Sequence, residues 1–349
     1  MSRDERIDLI RELERVRGSR VLCYLTADRG IASVPVAEDV VRRLYRHLRS
    51  VGRVPQLDLF ISSRGGDTHV PWPLVVACRR FAERFTVLIP YRAHSAATLM
   101  GLGADELVFG PIGELTQVDP SIRTDFTPPS TQAGTNLLVA VEDLTAYFDF
   151  MRETVRIGPE DARAAVDLLR EKLHPLAIGQ AFRSGRSVEY VAQHLLMLHM
   201  GDQEKAARIA RSLVTELHVH AHRITLEEAQ ELGLPARAAS TEEDQAMWKL
   251  YEAYEAEMQL EQPLRPTTVF PNVSDSLVEL KDLRMVYVES ADAADFYSMD
   301  LVAVRTQSQQ FPAGITYPGG QLQSLPTPQR PVWSGQVTFA VERESWSTE

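Results

Sequence analysis

Two short clusters hold the residue types that covalent acyl chemistry needs. In SSRGGD, residues 62–67, two glycines follow an apolar run. Paired glycines permit backbone angles closed to other residues and let a ligand approach the main chain. An amide N–H exposed at such a turn can face an oxyanion. In HSAATLMGLGADEL, residues 94–107, Ser95 opens a helix of small residues. A serine hydroxyl at a helix start can attack a carbonyl, and the next amide, that of Ala96, belongs to the N–H groups that lack helical partners. Each cluster also has an ordinary reading. Serine is a favoured helix N-cap, and Gly-Gly after a strand is commonly just a turn. The structural question is whether Ser95 acts as a cap or as a nucleophile.

Positioning these clusters takes alternating strands and helices. RVLCYLTA (20–27) and LDLFISS (57–63) are short apolar runs of strand composition, followed by TVLIP (86–90) and DELVFGP (105–111). Between them, residues 37–52 and 72–85 have helical periodicity, and SAATLMGLGA (95–104) is a short apolar helix. This alternation signals βαβ units and a largely parallel sheet. An amphipathic helix is expected over residues 4–17, a Thr-, Pro- and Ser-rich loop over 122–138, and mostly helix over 139–217. Thr225 is a helix N-cap with Glu228 at the capping-box position and Gly233 at the stop. After residue 239 the composition shifts. A charged helix is expected over 240–262, then strands at 284–290, 301–306 and 335–342. The expected organisation is thus one domain over 1–239 and a helix with a small β-rich appendage over 240–349.

Bulk composition excludes several partners. The chain has 349 residues, 44% of them apolar, and a formal charge of −11. No dense basic patch is present, which argues against nucleic acid and anionic membrane surfaces. The N-terminus is charged throughout, unlike a signal peptide, and no apolar run approaches a membrane span. Cys23 and Cys78 lie in apolar runs, so both are expected buried and unpaired. A cytoplasmic protein is the expectation.

Three stretches together, SSRGGD, HSAATLMGLGADEL and GPIGELTQVDP (110–120), resemble the ClpP/crotonase superfamily. Within it the chain is most similar to the serine dehydrogenase proteinase family, akin to signal peptide peptidase A and the Clp protease subunit. LHPLAIGQAFR (173–183) and HVHAHRITLEEAQELGLPA (218–236) also look like that family, so the resemblance spans residues 18–236. It implies a spiral of ββα units, Ser95 as nucleophile, an oxyanion hole from the Gly66 and Ala96 amides, a peptide or protein substrate, and a homo-oligomer.

The base is where this sequence departs from its relatives. Signal peptide peptidase A uses a lysine beyond the serine, yet the first lysine here is Lys172. Clp-type enzymes use a histidine soon after the serine, and VFGPIGELTQVDP has none. HVHAH (218–222) offers imidazoles suited to general-base work. His220 is the favoured base and His222 the second choice. Asp119 orients the base or shapes the pocket, and Lys205 and Lys172 are further candidates. His218, His220 and His222 would share one face of a strand and could hold zinc. Such sites draw ligands from more than one element, so no metal and no cofactor is expected. His94 adjoins Ser95, but adjacent side chains diverge, which makes it a packing or pocket-wall residue. His69 and Trp72 line a substrate groove or pack. Two rival readings remain: a non-catalytic scaffold of the same fold, and an acyl-CoA enzyme of crotonase type.

Overall fold

The computed structural model describes residues 2–118, 121–122, 126–128, 137, 139–158, 162–216, 222–266, 269–272, 275–306 and 336–349. Helix α1 (Arg3–Arg17) opens with a reciprocal Ser2–Glu5 capping box and lays Ile10 and Leu13 in the core. Next come β1 (Arg20–Thr26), the two-strand ribbon β2 (Asp28–Arg29) and β3 (Ala32–Ser33), α2 (Asp39–Val51), β4 (Val54–Ser62) and α3 (Pro71–Phe81). The chain continues through β5 (Ala82–Ile89), β6 (Arg92–Ala93), α4 (Ala96–Leu102), β7 (Glu106–Phe109) and β8 (Glu114–Thr116). A helical region follows the small pair β9 (Ser121–Ile122) and β10 (Val139–Ala140). It holds α5 (Val141–Asp149), α6 (Ala162–Arg170), α7 (Pro175–Met197) and α8 (Gln203–Arg211), with π-helical turns at Phe150–Thr154 and Ser212–Glu216. The last elements are β11 (Arg223–Ile224), α9 (Leu226–Glu231), β12 (Ala236–Ala238), α10 (Thr241–Glu257), β13 (Leu277–Glu289), β14 (Ala294–Thr306) and β15 (Gln336–Thr348).

One sheet of eight strands organises these elements, in the order β12-β7-β5-β4-β1-β13-β14-β15. The pairs from β12 to β1 are parallel, and those from β1 to β15 antiparallel. The division follows from composition. β1, β5 and β7 are buried along almost their whole length, as parallel strands covered by helices on both faces must be. The outer half of β13 alternates exposed and half-buried residues, as an antiparallel strand with one wet face does.

A second, shorter layer leaves the main sheet just beyond β4, β5 and β7. Ser63 bridges Ala93, β6 pairs with β8, and β8 pairs with β11. Strand, short strand and helix thus succeed one another in β5, β6 and α4, the ββα unit expected from the sequence. The fold class is α/β.

Two boundaries differ from the sequence reading. The helix expected over 72–85 stops at Phe81, because Ala82, Arg84 and Phe85 pair with Val54, Gln56 and Leu57 of β4. Ladder pairing in a buried sheet outweighs the helical preference of a few residues. The described residues from 240 onward are helical and then β-rich, and they continue the sheet of the preceding chain. β13 pairs with β1, and Glu289 accepts from Tyr254 of α10 at 2.8 Å and from Arg6 of α1 at 2.8 Å, all three buried. The division expected at 239/240 therefore falls inside one sheet and one core. Cys23 and Cys78 are free and buried. Among the described residues no helix is long and apolar enough to cross a membrane.

Candidate functional site

Ser95 sits where β6 turns into α4, with φ 50° and ψ −111°. That corner of backbone space is disfavoured for any residue bearing a Cβ, at about 1–3 kcal/mol. Serine could have relieved nothing by capping, because its side chain makes no cap hydrogen bond. The half-buried Oγ finds no hydrogen-bond partner among the described residues. The N-cap reading thus fails on geometry. Ser95 stands at a sharp strand-to-helix turn with a strained backbone and an unengaged hydroxyl.

The strain persists because the surroundings over-determine it. The Ser95 N–H donates to Thr116 Oγ1 at 2.9 Å, and that hydroxyl donates to Gln117 O at 3.0 Å. The Thr98 hydroxyl donates to Ala93 O at 2.7 Å and accepts from the Thr116 N–H at 3.2 Å. Beneath them α4 is buried from Ala96 to Leu102. These threonines were invisible to motif reasoning; their only sequence signal is a hydroxyl in an otherwise apolar stretch.

Gly65 and Gly66 follow the end of β4; Gly65 packs directly on this turn, and Gly66 on Pro35 and Val36. A Cβ at Gly65 would lie 2.7 Å from Ser95 Cβ and 2.8 Å from the Ala96 nitrogen, and its φ is +91°. A Cβ at Gly66 would lie 2.4 Å from the Val36 nitrogen. Only glycine fits at either place. Ser63 Oγ shares a 2.7 Å hydrogen bond with Thr26 and accepts the Gly65 N–H at 3.0 Å. Gly65 O and the Asp67 N–H make the bonds to Val36, so the Gly66 N–H faces away from that segment. The Ala96 amide is at the first position of α4. Neither amide donates to an acceptor among the described residues.

A second cluster adjoins the first. His94 Nε2 is 2.9 Å from Glu114 Oε1, and Arg223 pairs closely with the same carboxylate while lying 3.3 Å from His94 Nε2. Burial pushes His94 down to about 4, with Arg223 and Arg92 adding to the shift and Glu114 opposing it. His94 is therefore neutral at pH 7 and held by Glu114 and Arg223.

The expected bases fare differently. His220 and Asp119 lie outside the described residues. His222 Nε2 donates to Glu228 Oε1 at 2.7 Å, the capping-box carboxylate of α9. Lys205 packs its stem on Gly233 and lies near His199, whose ring bonds Leu102 O at 2.9 Å. That is the opposite end of α4 from Ser95, roughly 10 Å along the helix. The structure does not bring Lys205 to the serine. It does bring the chain that follows HVHAH: Arg223 of β11 pairs with Thr116 of β8, the residue that holds the Ser95 amide. His69 anchors its own N–H on Asp67 at 2.8 Å, and Trp72 packs edge-on against His194.

Two clefts meet at Tyr91. One, about 710 Å³, is lined by Phe109, Ile112, Glu114, Arg223 and Leu226 among others. The other, about 230 Å³, is lined by Ser63, Arg64, Arg92, Tyr251 and Glu255 among others. Among the described residues no cluster of metal-ligating side chains is present.

No family model matches the chain. Two uncharacterized proteins of Methanocaldococcus jannaschii are each 25% identical to it, over 256 and 252 residues, which is 72% and 70% of this chain and 76% and 78% of theirs. Among solved structures, the 1510-N membrane-bound stomatin-specific protease overlays with a TM-score of 0.35 at 12% identity, over 59% of this chain and 75% of that one. A probable enoyl-CoA hydratase/isomerase from Mycobacterium abscessus overlays at 0.32 and 10% identity, over 66% and 69%. At these scores the overlays carry no argument about site or substrate.

Proposed function

We propose that this chain is a serine hydrolase that cleaves peptide bonds through an acyl-enzyme on Ser95. The observation that carries the reading is the strained Ser95 backbone, with an uncapped hydroxyl and Gly65 packed against it. Ser95 Oγ attacks the scissile carbonyl carbon, and its proton passes to a base. The tetrahedral oxyanion takes hydrogen bonds from the Gly66 and Ala96 amides. Collapse expels the amine, which leaves with the proton, and water then hydrolyses the ester. The base is His220, from the segment whose following strand lies on Thr116, with Asp119 and His222 in support. The homo-oligomer and the cytoplasmic setting belong to the same reading.

A peptide fits better than an acyl-CoA thioester. CoA phosphates need free basic side chains, and Arg64, beside the glycine turn, is already paired with Asp28. The sequence resemblance to serine dehydrogenase proteinases supports the same choice.

The test is covalent labelling of the full chain with a fluorophosphonate probe, read by intact mass. Wild type is expected to gain one adduct on Ser95, and Ser95→Ala none. His220→Ala is expected to slow labelling far more than His222→Ala. A folded wild type that stays unlabelled would sink the hydrolase reading and favour a scaffold.

A further inference from the structure

Most of the large exposed hydrophobic side chains among the described residues lie between 137 and 197. Those from Phe148 to Phe182 belong to a helical arm, α5 to the first half of α7, while Tyr190 and Met197 lie on the second half of α7. Among the described residues the arm's own small core is built on Leu173, Ala177 and Ala181, with Ala165 of α6 buried as well. Most helical stability in proteins comes from packing an apolar face, and this arm packs little of its apolar surface. The second half of α7 is different: Val188, Ala192, Leu195 and Leu196 enter the main core. A helix about 35 Å long thus runs from the body out into an under-buried arm.

The outer face of α7 carries an ordered stripe. Phe182, Arg186, Tyr190 and His194 recur every four residues and so share one face. Phe182 is 65% and Tyr190 61% exposed. The Tyr190 and His194 rings are 3.8 Å apart, and Trp72 of α3 meets His194 edge-on at 6.2 Å. Contiguous exposed aromatic surface of this kind marks an interaction site. The stripe is also basic. Arg183 and Arg186 are exposed and form no ion pair with any described residue, while Glu189 is engaged by Arg211 at 3.8 Å.

The occupant follows from charge. Stripe against stripe would set arginine against arginine. The opposite helix of the arm offers the complement: Asp143 of α5 is exposed and without an ion pair among the described residues, and exposed Phe150 lies two turns further along the same face. α5 and α7 share the small core, so their outer faces point in different directions. We propose that the α7 stripe of one copy docks on the α5 face of a second copy, with Arg186 meeting Asp143 across the contact. Because the two faces differ, the contact is head-to-tail, and repeated copies either close into a ring or grow. This surface does not depend on the chemistry at Ser95.

Sedimentation velocity of the full chain tests it, with far-UV circular dichroism to confirm helical content. Wild type is expected to sediment as an assembly at micromolar concentration. Arg186→Glu and Asp143→Arg are each expected to weaken assembly by about tenfold or more. Mixing the two folded single variants restores contacts through the reversed pair, and so does the double variant. A monomeric wild type overturns the proposal. So does either single reversal that leaves assembly unchanged, or a double variant no better than the singles. A monomer that instead binds anionic vesicles through this face would overturn it as well, and would make the stripe a membrane contact.

Discussion

Helix α4 and the outer half of α7 are both helical, yet they differ sharply in how much of their surface is buried. Every residue of α4 from Ala96 to Leu102 is buried, in a core that reaches from α1 to β14. Among the described residues, Leu173, Ala177 and Ala181 make the small core of the arm. The contrast shows where the molecule tolerates strain. A serine at φ 50° persists only where surrounding packing holds it. The arm has no such reserve, and its apolar face is available to a partner.

The comparison is broken most severely at Gly65. Gly65→Ala places a Cβ 2.6 Å from His94 O and 2.7 Å from Ser95 Cβ, at a φ of +91°. It is expected to cost more than about 3 kcal/mol and to abolish labelling of Ser95. Thermal unfolding and the fluorophosphonate probe read both effects. The next largest effect sharpens the contrast directly. Leu99→Ala, in buried α4, is expected to cost about 2–5 kcal/mol, whereas Leu168→Ala, 55% exposed in the arm, should cost under about 0.5 kcal/mol. Urea midpoints of the two variants at one pH settle it; equal losses would contradict the burial argument.

A smaller effect depends on pH. Burial, with Arg223 and Arg92, lowers His94 from 6.5 to about 4. Between those values the unfolded chain binds a proton that the folded chain does not. Stability therefore falls as pH drops through this window and is fully present above it. His94→Gln is expected to shrink the loss between pH 7 and 5 by about 2 kcal/mol. His47 and His199 are lowered by burial too, so some acid loss remains. Urea unfolding at both pH values measures the difference. The smallest effect has the opposite sign. Ser95→Gly removes the strained Cβ, and despite glycine's entropy cost it is expected to stabilise by about 0.5–1 kcal/mol while losing all labelling.

Much of this was legible in residue order. The apolar runs at 20–27, 57–63 and 86–90 became β1, β4 and β5, and Thr225 with Glu228 formed the capping box of α9. Those signals are local: side-chain periodicity and a three-residue spacing. The end of α3 was misread because Ala82–Phe85 answer to a strand 28 residues earlier in register, Val54 opposite Ala82. Likewise the β-rich C-terminal stretch gave no sign that β13 would pair with β1. At the site, Ser95, Gly65 and Gly66 stood out by type and order. Thr116, Thr98, Ser63 and Glu114 did not, since a threonine or glutamate at a strand end has many uses.

The sequence by itself determined the α/β alternation, the glycines at the turn and the serine that follows, because glycine requirements and hydrophobic periodicity are written in neighbouring residues. Whether Ser95 caps a helix or stands strained and uncapped was decided by the tertiary structure. Thr116, brought from 21 residues away to bond its amide at 2.9 Å, and Gly65, pressed on its Cβ, fix a backbone angle that no local preference would choose.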